Sequence, residues 1–257
     1  MPVIAVLPGS RASQQHLRRS FGRSPVRVIV CRSERSLLRA YRGTMLDAVV
    51  LGPTALRDMD LVSLARSWPG VPRVAYGPFR PDDGVTLNAM VSTGVISALL
   101  IEGVDDAVAG PLAVRLGPSR RRADLLAGTP RVFRLTDPLQ LQVWQFVVRE
   151  AGRPLTVGQV AVEFRMSREH LSRQFAAGGA PNLKRAIDLL RVICATQLLA
   201  NPGCDVARVV RLLQCSSPSH LSAMSRRIAG VSSTQLADLG PQGVLRAFTR
   251  NATRSRV

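Results

Sequence analysis

The 257-residue chain has one lysine, three histidines, four cysteines and no long apolar run. Each scarcity excludes something. Cys31, Cys194, Cys204 and Cys215 show no C-x-x-C spacing, and the histidines are too few to complete a structural zinc site with them. The thiols read as small buried apolar groups in a reducing compartment, so no metal and no cofactor is expected. No stretch approaches the roughly 18 consecutive apolar residues that a membrane span requires. The opening MPVIAVLPGS has no basic n-region and breaks at Pro8-Gly9, so it reads as a first β-strand in a cytoplasmic protein. No Ser-His-Asp set, metal cluster or phosphate loop is legible, and His16 stands isolated, which argues against an enzyme.

Arginine takes the place of the missing lysine. The chain carries 35 basic and 17 acidic residues, a formal charge of +18. Residues 1–119 hold 14 arginines and 9 acidic residues, while residues 120–257 hold 21 basic and 8 acidic residues. A nearly balanced half followed by a basic half suggests a polyanion-binding domain appended to something else. Arginine's planar fork suits phosphate. The apolar fraction of 46% fits a globular chain, and its length fits about two domains.

In the first 116 residues, VIAVL (3–7), VRVIV (26–30), LDAVVL (46–51), RVAYG (73–77) and ISALLI (96–101) read as strands, being short, β-branched and bounded by Gly or Pro. Helix-sized stretches lie between them at 10–22, 33–42, 58–67 and 82–93. Such alternation implies an α/β domain, a five-stranded parallel sheet with helices on both faces. Its size and order resemble the receiver domains of response regulators, of flavodoxin-like architecture. That resemblance implies acidic residues after the first strand, an acceptor Asp ending the third, and a Lys after the fifth. Here those places hold Pro8-Gly9-Ser10-Arg11, Leu51-Gly52-Pro53 with Asp47 at the wrong end, and Glu102-Gly103-Val104-Asp105-Asp106. Phosphotransfer is therefore expected to be lost, leaving a pseudo-receiver. Residues 117–134, with Gly, Pro and Arg120-Arg121-Arg122, read as a solvated linker.

From there the pattern is helical. Asp137-Pro138 opens a helix running to about Glu150. Thr156 and Gln159 form a capping box, with Leu155 and Val160 as a staple, and that helix ends near Phe164. After Arg165-Met166-Ser167 a second helix begins on Ser167, a helix-turn-helix pattern. The grammar recurs: Ser167-Arg168-Glu169-His170-Leu171-Ser172 aligns with Ser217-Pro218-Ser219-His220-Leu221-Ser222, each behind an apolar helix, Val157–Phe164 or Val206–Leu213. Leu183, Ile187, Leu190, Cys194 and Leu198 mark a connecting helix over 183–199. A helix of that length holds its ends on the order of 25–29 Å apart, which suits two recognition helices in successive major grooves, roughly 34 Å apart, without a dimer.

The repeat, the connecting helix and the string SSPSHLS resemble the AraC/XylS family of bacterial transcription factors over residues 137–238. The resemblance implies a seven-helix domain (135–240 here, before a basic tail at 241–257) bound to double-stranded DNA at the nucleoid. It places base contacts on Glu169, Ser172 and Arg173, with Arg168 nearby, and on Ser219, His220 and Ala223. Arg173 is suited to guanine O6/N7 and Glu169 to cytosine N4. Arg226 and Arg227, one turn on, suit phosphate. Leu171 and Phe175 are expected in the core; packing is favoured for His170, and His220 stays open. Aromatic residues that the family carries at the places of Leu221, Ser225 and Ala229 are absent, so the second motif reads bases weakly or clamps the backbone. The competing reading is a degenerate regulator serving as a protein-interaction adaptor that holds DNA non-specifically. RNA polymerase is an expected partner of a regulator. For the front domain, homodimerisation, effector binding and protein binding all stay open.

Overall fold

The computed structural model describes residues 1–22 and 25–254, without the side chains of 251–254. The chain divides into two compact units, one of Met1–Arg121 with Asn201–Gly203, the other of Arg122–Ala200 and Cys204–Val257.

The first unit alternates strand and helix. Its elements are β1 (Val3–Leu7), α1 (Arg11–Ser20), β2 (Arg27–Val30), α2 (Glu34–Gly43), β3 (Ala48–Leu51), α3 (Pro53–Asp58), α4 (Leu61–Ser67), β4 (Arg73–Gly77), α5 (Gly84–Ser92), β5 (Ala98–Ile101) and α6 (Asp106–Leu116). All neighbours pair in parallel, in the order β2-β1-β3-β4-β5. That is the flavodoxin-like order, and the expected α/β class holds. Side chains alternate between the two sheet faces. Ile4, Val6, Val50, Val74 and Tyr76 pack in one core cluster with Leu17 and Phe21 of α1 and Ala109 and Ala113 of α6. The intervening Ala5, Val49, Leu51 and Ala75 are fully buried as well, so the central strands are apolar on both faces, as covered parallel strands are. β2 and β5 are the edges, and they expose Val30, Leu99 and Ile101.

The helix expected over 58–67 differs from that found. Pro53 begins α3 directly after β3, and Asp60 starts α4 anew by accepting from the Ser63 amide at 3.0 Å. A proline at the first turn costs no hydrogen bond, and an Asp cap provides a fresh start.

The helical unit includes α8 (Thr129–Val132), α9 (Pro138–Glu150), α10 (Val157–Glu163), α11 (Arg168–Ala176), α12 (Leu183–Leu199), α13 (Val206–Leu212), α14 (Pro218–Ala229) and α15 (Leu236–Arg254). The helix α7 (Pro118–Leu126) contains the boundary between units. α12 is the axis of this unit, with twelve of its 17 residues buried, among them all five of the expected stripe.

Two sequence expectations fail here. The stretch 117–134 is not a solvated linker: α7 and α8 occupy most of it, and Leu126 and Phe133 are buried. Arg122 is 2% exposed and donates to Gln197 Oε1 at 2.6 Å and to the Ala151 carbonyl at 3.1 Å. Three arginines in a row look solvated, but this guanidinium turns inward and reaches acceptors through both terminal nitrogens. Nor do residues 241–254 form a tail. After a break in α15 at Gly240, where φ is 64° and ψ 169°, they form a second helical stretch in which Val244 and Phe248 are fully buried. Phe133 stands edge-on to both Trp144 and Phe248, at 5.4 Å each, and the Arg185 guanidinium lies over the Phe248 ring. The i, i+4 pair Val244/Phe248 was hidden by Gly240-Pro241 and the surrounding arginines. The last three residues of the expected tail, 255–257, lie outside the described residues.

Candidate nucleic-acid interface

Two short helices joined by a tight turn occur twice in the helical unit, and their local chemistry matches nearly atom for atom. In the first copy Thr156 accepts from the Gln159 amide at 3.2 Å while the Thr156 amide donates to Gln159 Oε1 at 2.8 Å, which starts α10. Arg165 ends it with φ 54°, and the Met166 amide donates back to the Ala161 carbonyl at 2.9 Å. In the second copy Asp205 caps α13 by accepting from the Arg208 amide at 2.7 Å. Gln214 takes φ 49°, and the Cys215 amide donates to the Val210 carbonyl at 2.9 Å. Both are left-handed helix stops of the Schellman kind, closed by a six-to-one bond. The copies stand 49 residues apart through the turn and 50 apart afterwards, because Ser216 is an extra residue.

The second helix of each copy begins on a serine. Ser167 accepts from the His170 amide at 3.2 Å and Ser217 from the His220 amide at 3.0 Å. Pro218 takes the first helical position of α14. The buried faces agree in place but not in volume. Leu171 and Leu221 are both fully buried, whereas the 1% exposed Phe175 corresponds to the fully buried Ser225. The Ser225 hydroxyl donates to the Val231 carbonyl at 2.7 Å, so the missing ring is replaced by a satisfied polar group. Met224 and Ile228 complete the apolar face of α14.

The opposite face of each helix is open. Arg168, Glu169 and Arg173 of α11 are exposed and Ser172 is half-buried. Ser219, His220, Ala223 and Arg226 of α14 are exposed. The structure thus brings the expected α11 residues onto one helix surface, and likewise those of α14. His170, for which packing was favoured, is exposed: Leu171 and Phe175 take the buried positions, and His170 gives only its backbone amide to the cap.

Arg227 departs from its expected role. Its guanidinium donates to Asp188 Oδ2 at 2.7 Å, so it is committed to α12 and is not a free phosphate ligand. Asp188 is buried, its side chain 8% exposed, and also faces Lys184 at 3.3 Å and Arg191 at 4.0 Å. Arg191 in turn donates to the Leu155 carbonyl at 3.0 Å, just before α10. One carboxylate on the central helix therefore holds α14 directly, and a neighbouring arginine holds the approach to α10. Sequence reading passed over Asp188, although a lone acid between Ile187 and Leu189, with Lys184 at i−4 and Arg191 at i+3, was a legible signal. Burial raises the thiol pKa of Cys204 to about 11 and also raises that of Cys215, which begins the second turn.

The α/β unit is closed where a receiver would hold its acidic pocket. A Cβ on Gly52 would come 2.2 Å from the Gly9 amide nitrogen, and one on Gly77 would come 2.6 Å from the Pro53 ring. The mouth between β1, β3 and β4 is thus filled by backbone and one proline. Asp47 lies at the opposite end, accepting from the Val3 and Ser119 amides at 2.8 and 2.7 Å. The acids after β5 are engaged locally. Glu102 accepts from Ser13 Oγ at 2.6 Å, Asp105 from the Ile101 amide at 2.7 Å, and Asp106 from the Tyr76 hydroxyl and the Gly103 amide. Those bonds, with His16 nearby, hold the Asp106 carboxyl below the usual carboxylate range. His16 is not isolated, as the sequence suggested. Its Nδ1 lies 3.3 Å from both Glu102 and Asp106, though without the alignment of a hydrogen bond. Ser13 gives its proton to Glu102 and not to His16, so this cluster is not a nucleophile–base pair. Among the described residues, no group of three or more His, Cys, Asp or Glu is arranged to hold a metal ion, and no helix is long and apolar enough to cross a membrane.

No protein-family model matches the chain, and no curated protein matches it. Among solved structures, 88% of the chain is similar to 96% of full-length FixJ from B. japonicum, with 16% identity and a TM-score of 0.39. The same share of the chain is similar to 98% of the response regulator StyR, with 14% identity and a TM-score of 0.38.

Proposed function

We propose that this protein is a DNA-binding transcriptional regulator of AraC/XylS type, without catalytic activity, whose helices α11 and α14 read major-groove bases. One observation carries the reading. Two matched helix-turn-helix units in the basic half of the chain each bury a leucine face and leave a polar face open. α12, the 17-residue helix between them, is about 26 Å long at 1.5 Å per residue, a span suited to successive grooves of one duplex face. Arg168, Glu169, Ser172 and Arg173 form the stronger reading surface, with Arg173 bidentate on a guanine. Ser219, His220 and Ala223 read weakly, and Arg226 holds phosphate. Arg227 positions α14 through Asp188.

The same reading gives the α/β unit a regulatory role without phosphotransfer, because its mouth is closed and its acids are engaged. Homodimerisation through that unit is supported by Leu99 and Ile101, which stand exposed on edge strand β5. RNA polymerase is the partner through which such a regulator acts.

Arg173→Ala tests the reading. On a preferred duplex selected from random sequence it should cost about 1–3 kcal/mol, with little loss on unselected DNA. An equal loss on all duplexes would instead support the adaptor with non-specific binding.

A further inference from the structure

We propose that the α1–β2–α2 edge of the α/β unit is a second nucleic-acid surface, one that holds the phosphate backbone of duplex DNA. It rests on the reading above for the choice of DNA, but not for the surface itself. Residues 1–46 contain nine arginines and one acidic residue, Glu34. The fold sets them around one sheet edge, with α1 and α2 on its opposite faces. β2 is a sheet edge, α1 connects it to β1 beside it, and α2 leaves it and packs on β1. Arg11, Arg18 and Arg19 of α1 are exposed, and so is Arg27 on the edge strand. Arg35, Arg39 and Arg42 of α2 recur at i, i+4 and i+7, on the side of the helix away from buried Leu37, Ala40 and Tyr41. None of these seven guanidinium groups forms an ion pair or hydrogen bond with a described residue.

The α2 row extends about 10 Å, which matches some three phosphates of one strand at a rise of 3.4 Å. Arginine-rich composition alone would scatter the charge. Instead, residues 80–108 around β5 contain Asp82, Asp83, Glu102, Asp105 and Asp106 against only Arg80, although Glu102 and Asp106 reach Ser13 and His16 of α1. That acidic segment on a second copy is the competing occupant, and it fits less well. Glu102, Asp105 and Asp106 are held in hydrogen bonds within their own unit, and Asp83 accepts from the Arg80 amide at 2.8 Å. Among the described residues these arginine side chains have no partner, whereas four of the five carboxylates do.

The test compares the full chain with R35Q/R39Q/R42Q and with R168Q/R173Q, titrating duplex DNA against NaCl by fluorescence anisotropy. The substituted side chains are exposed, and unchanged thermal melts confirm the fold. For the edge variant the slope of log affinity against log salt should fall by up to about 2.7, at roughly 0.9 per phosphate. Between about 50 and 200 mM salt the parent then loses roughly 40-fold more affinity than the variant. Its preference for a selected site over random sequence should persist. An unchanged slope in the edge variant, with a loss in the helix variant, overturns this inference and leaves the proposed function standing. A reduced slope in the edge variant, with no effect of the helix variant and no preferred site, supports the surface and sinks the proposed function. If the edge variant binds DNA normally but sedimentation shows that it has lost self-association, the edge takes a second copy and the inference fails.

Discussion

Replacing Arg227 by methionine would strand the buried Asp188 carboxylate, and the geometry sets the size of the effect. Removing one partner of a fully buried ion pair costs about 3–5 kcal/mol. Here the Arg227 side chain is 53% exposed, which screens the pair, and Lys184 stays 3.3 Å from the same oxygen. The expected loss is therefore about 1–2 kcal/mol. Asp188→Asn should cost less, about 0.5–1 kcal/mol. Lys184 and Arg227 are then free to hydrate, and Arg191 keeps its bond to the Leu155 carbonyl. The double variant should resemble Asp188→Asn alone, a coupling of about 1–2 kcal/mol by double-mutant cycle. Urea titration followed by Trp144 fluorescence reports the helical unit, in a Trp68→Phe background that removes the only other tryptophan. Additive effects, with coupling below about 0.3 kcal/mol, would refute the claim that Asp188 holds α14.

Other outcomes follow from the same packing. Arg165→Gly and Gln214→Gly should each stabilise the protein by about 0.5–1 kcal/mol, because both residues sit at positive φ; stabilisation of only one would break the equivalence of the two turns. Phe175→Ala should cost about 3–5 kcal/mol and Ser225→Ala about 1 kcal/mol, as measured by chemical denaturation, the first leaving a cavity and the second an unpaired carbonyl. Native Cys204 should alkylate about a hundredfold more slowly than a free thiol near pH 8, since burial raises its pKa to about 11; a rate like that of the unfolded chain contradicts that burial. The unfolded thiol ionises first, so stability should decline as pH rises from the ordinary thiol value toward 11.

How much of this was legible depended on how local the signal was. The five strands and the caps Asp137, Thr156, Ser167 and Ser217 were readable because alternation and capping act within a few residues. The span of α12 was readable for the same reason, from an uninterrupted apolar stripe. What escaped was set at long range. Arg122 reads as a linker arginine until Gln197 and the Ala151 carbonyl receive it. Phe248 reads as part of a tail until Phe133 packs against it. Arg227 and Asp188 lie 39 residues apart, so only the fold pairs them. The outward positions of α11 and α14 were implied by the family resemblance and are exposed or half-buried, while His170, for which packing was favoured, is exposed.

In the proposed function one chain reads two major-groove segments of the same duplex face. Methylation interference on a selected duplex, with one chain bound per site, tests it most directly. Two clusters of interfering guanines should lie about 10–10.5 base pairs apart, the α11 cluster stronger, and Arg173→Ala should lose that cluster alone. A single cluster, or two that appear only when two chains are bound, would contradict it.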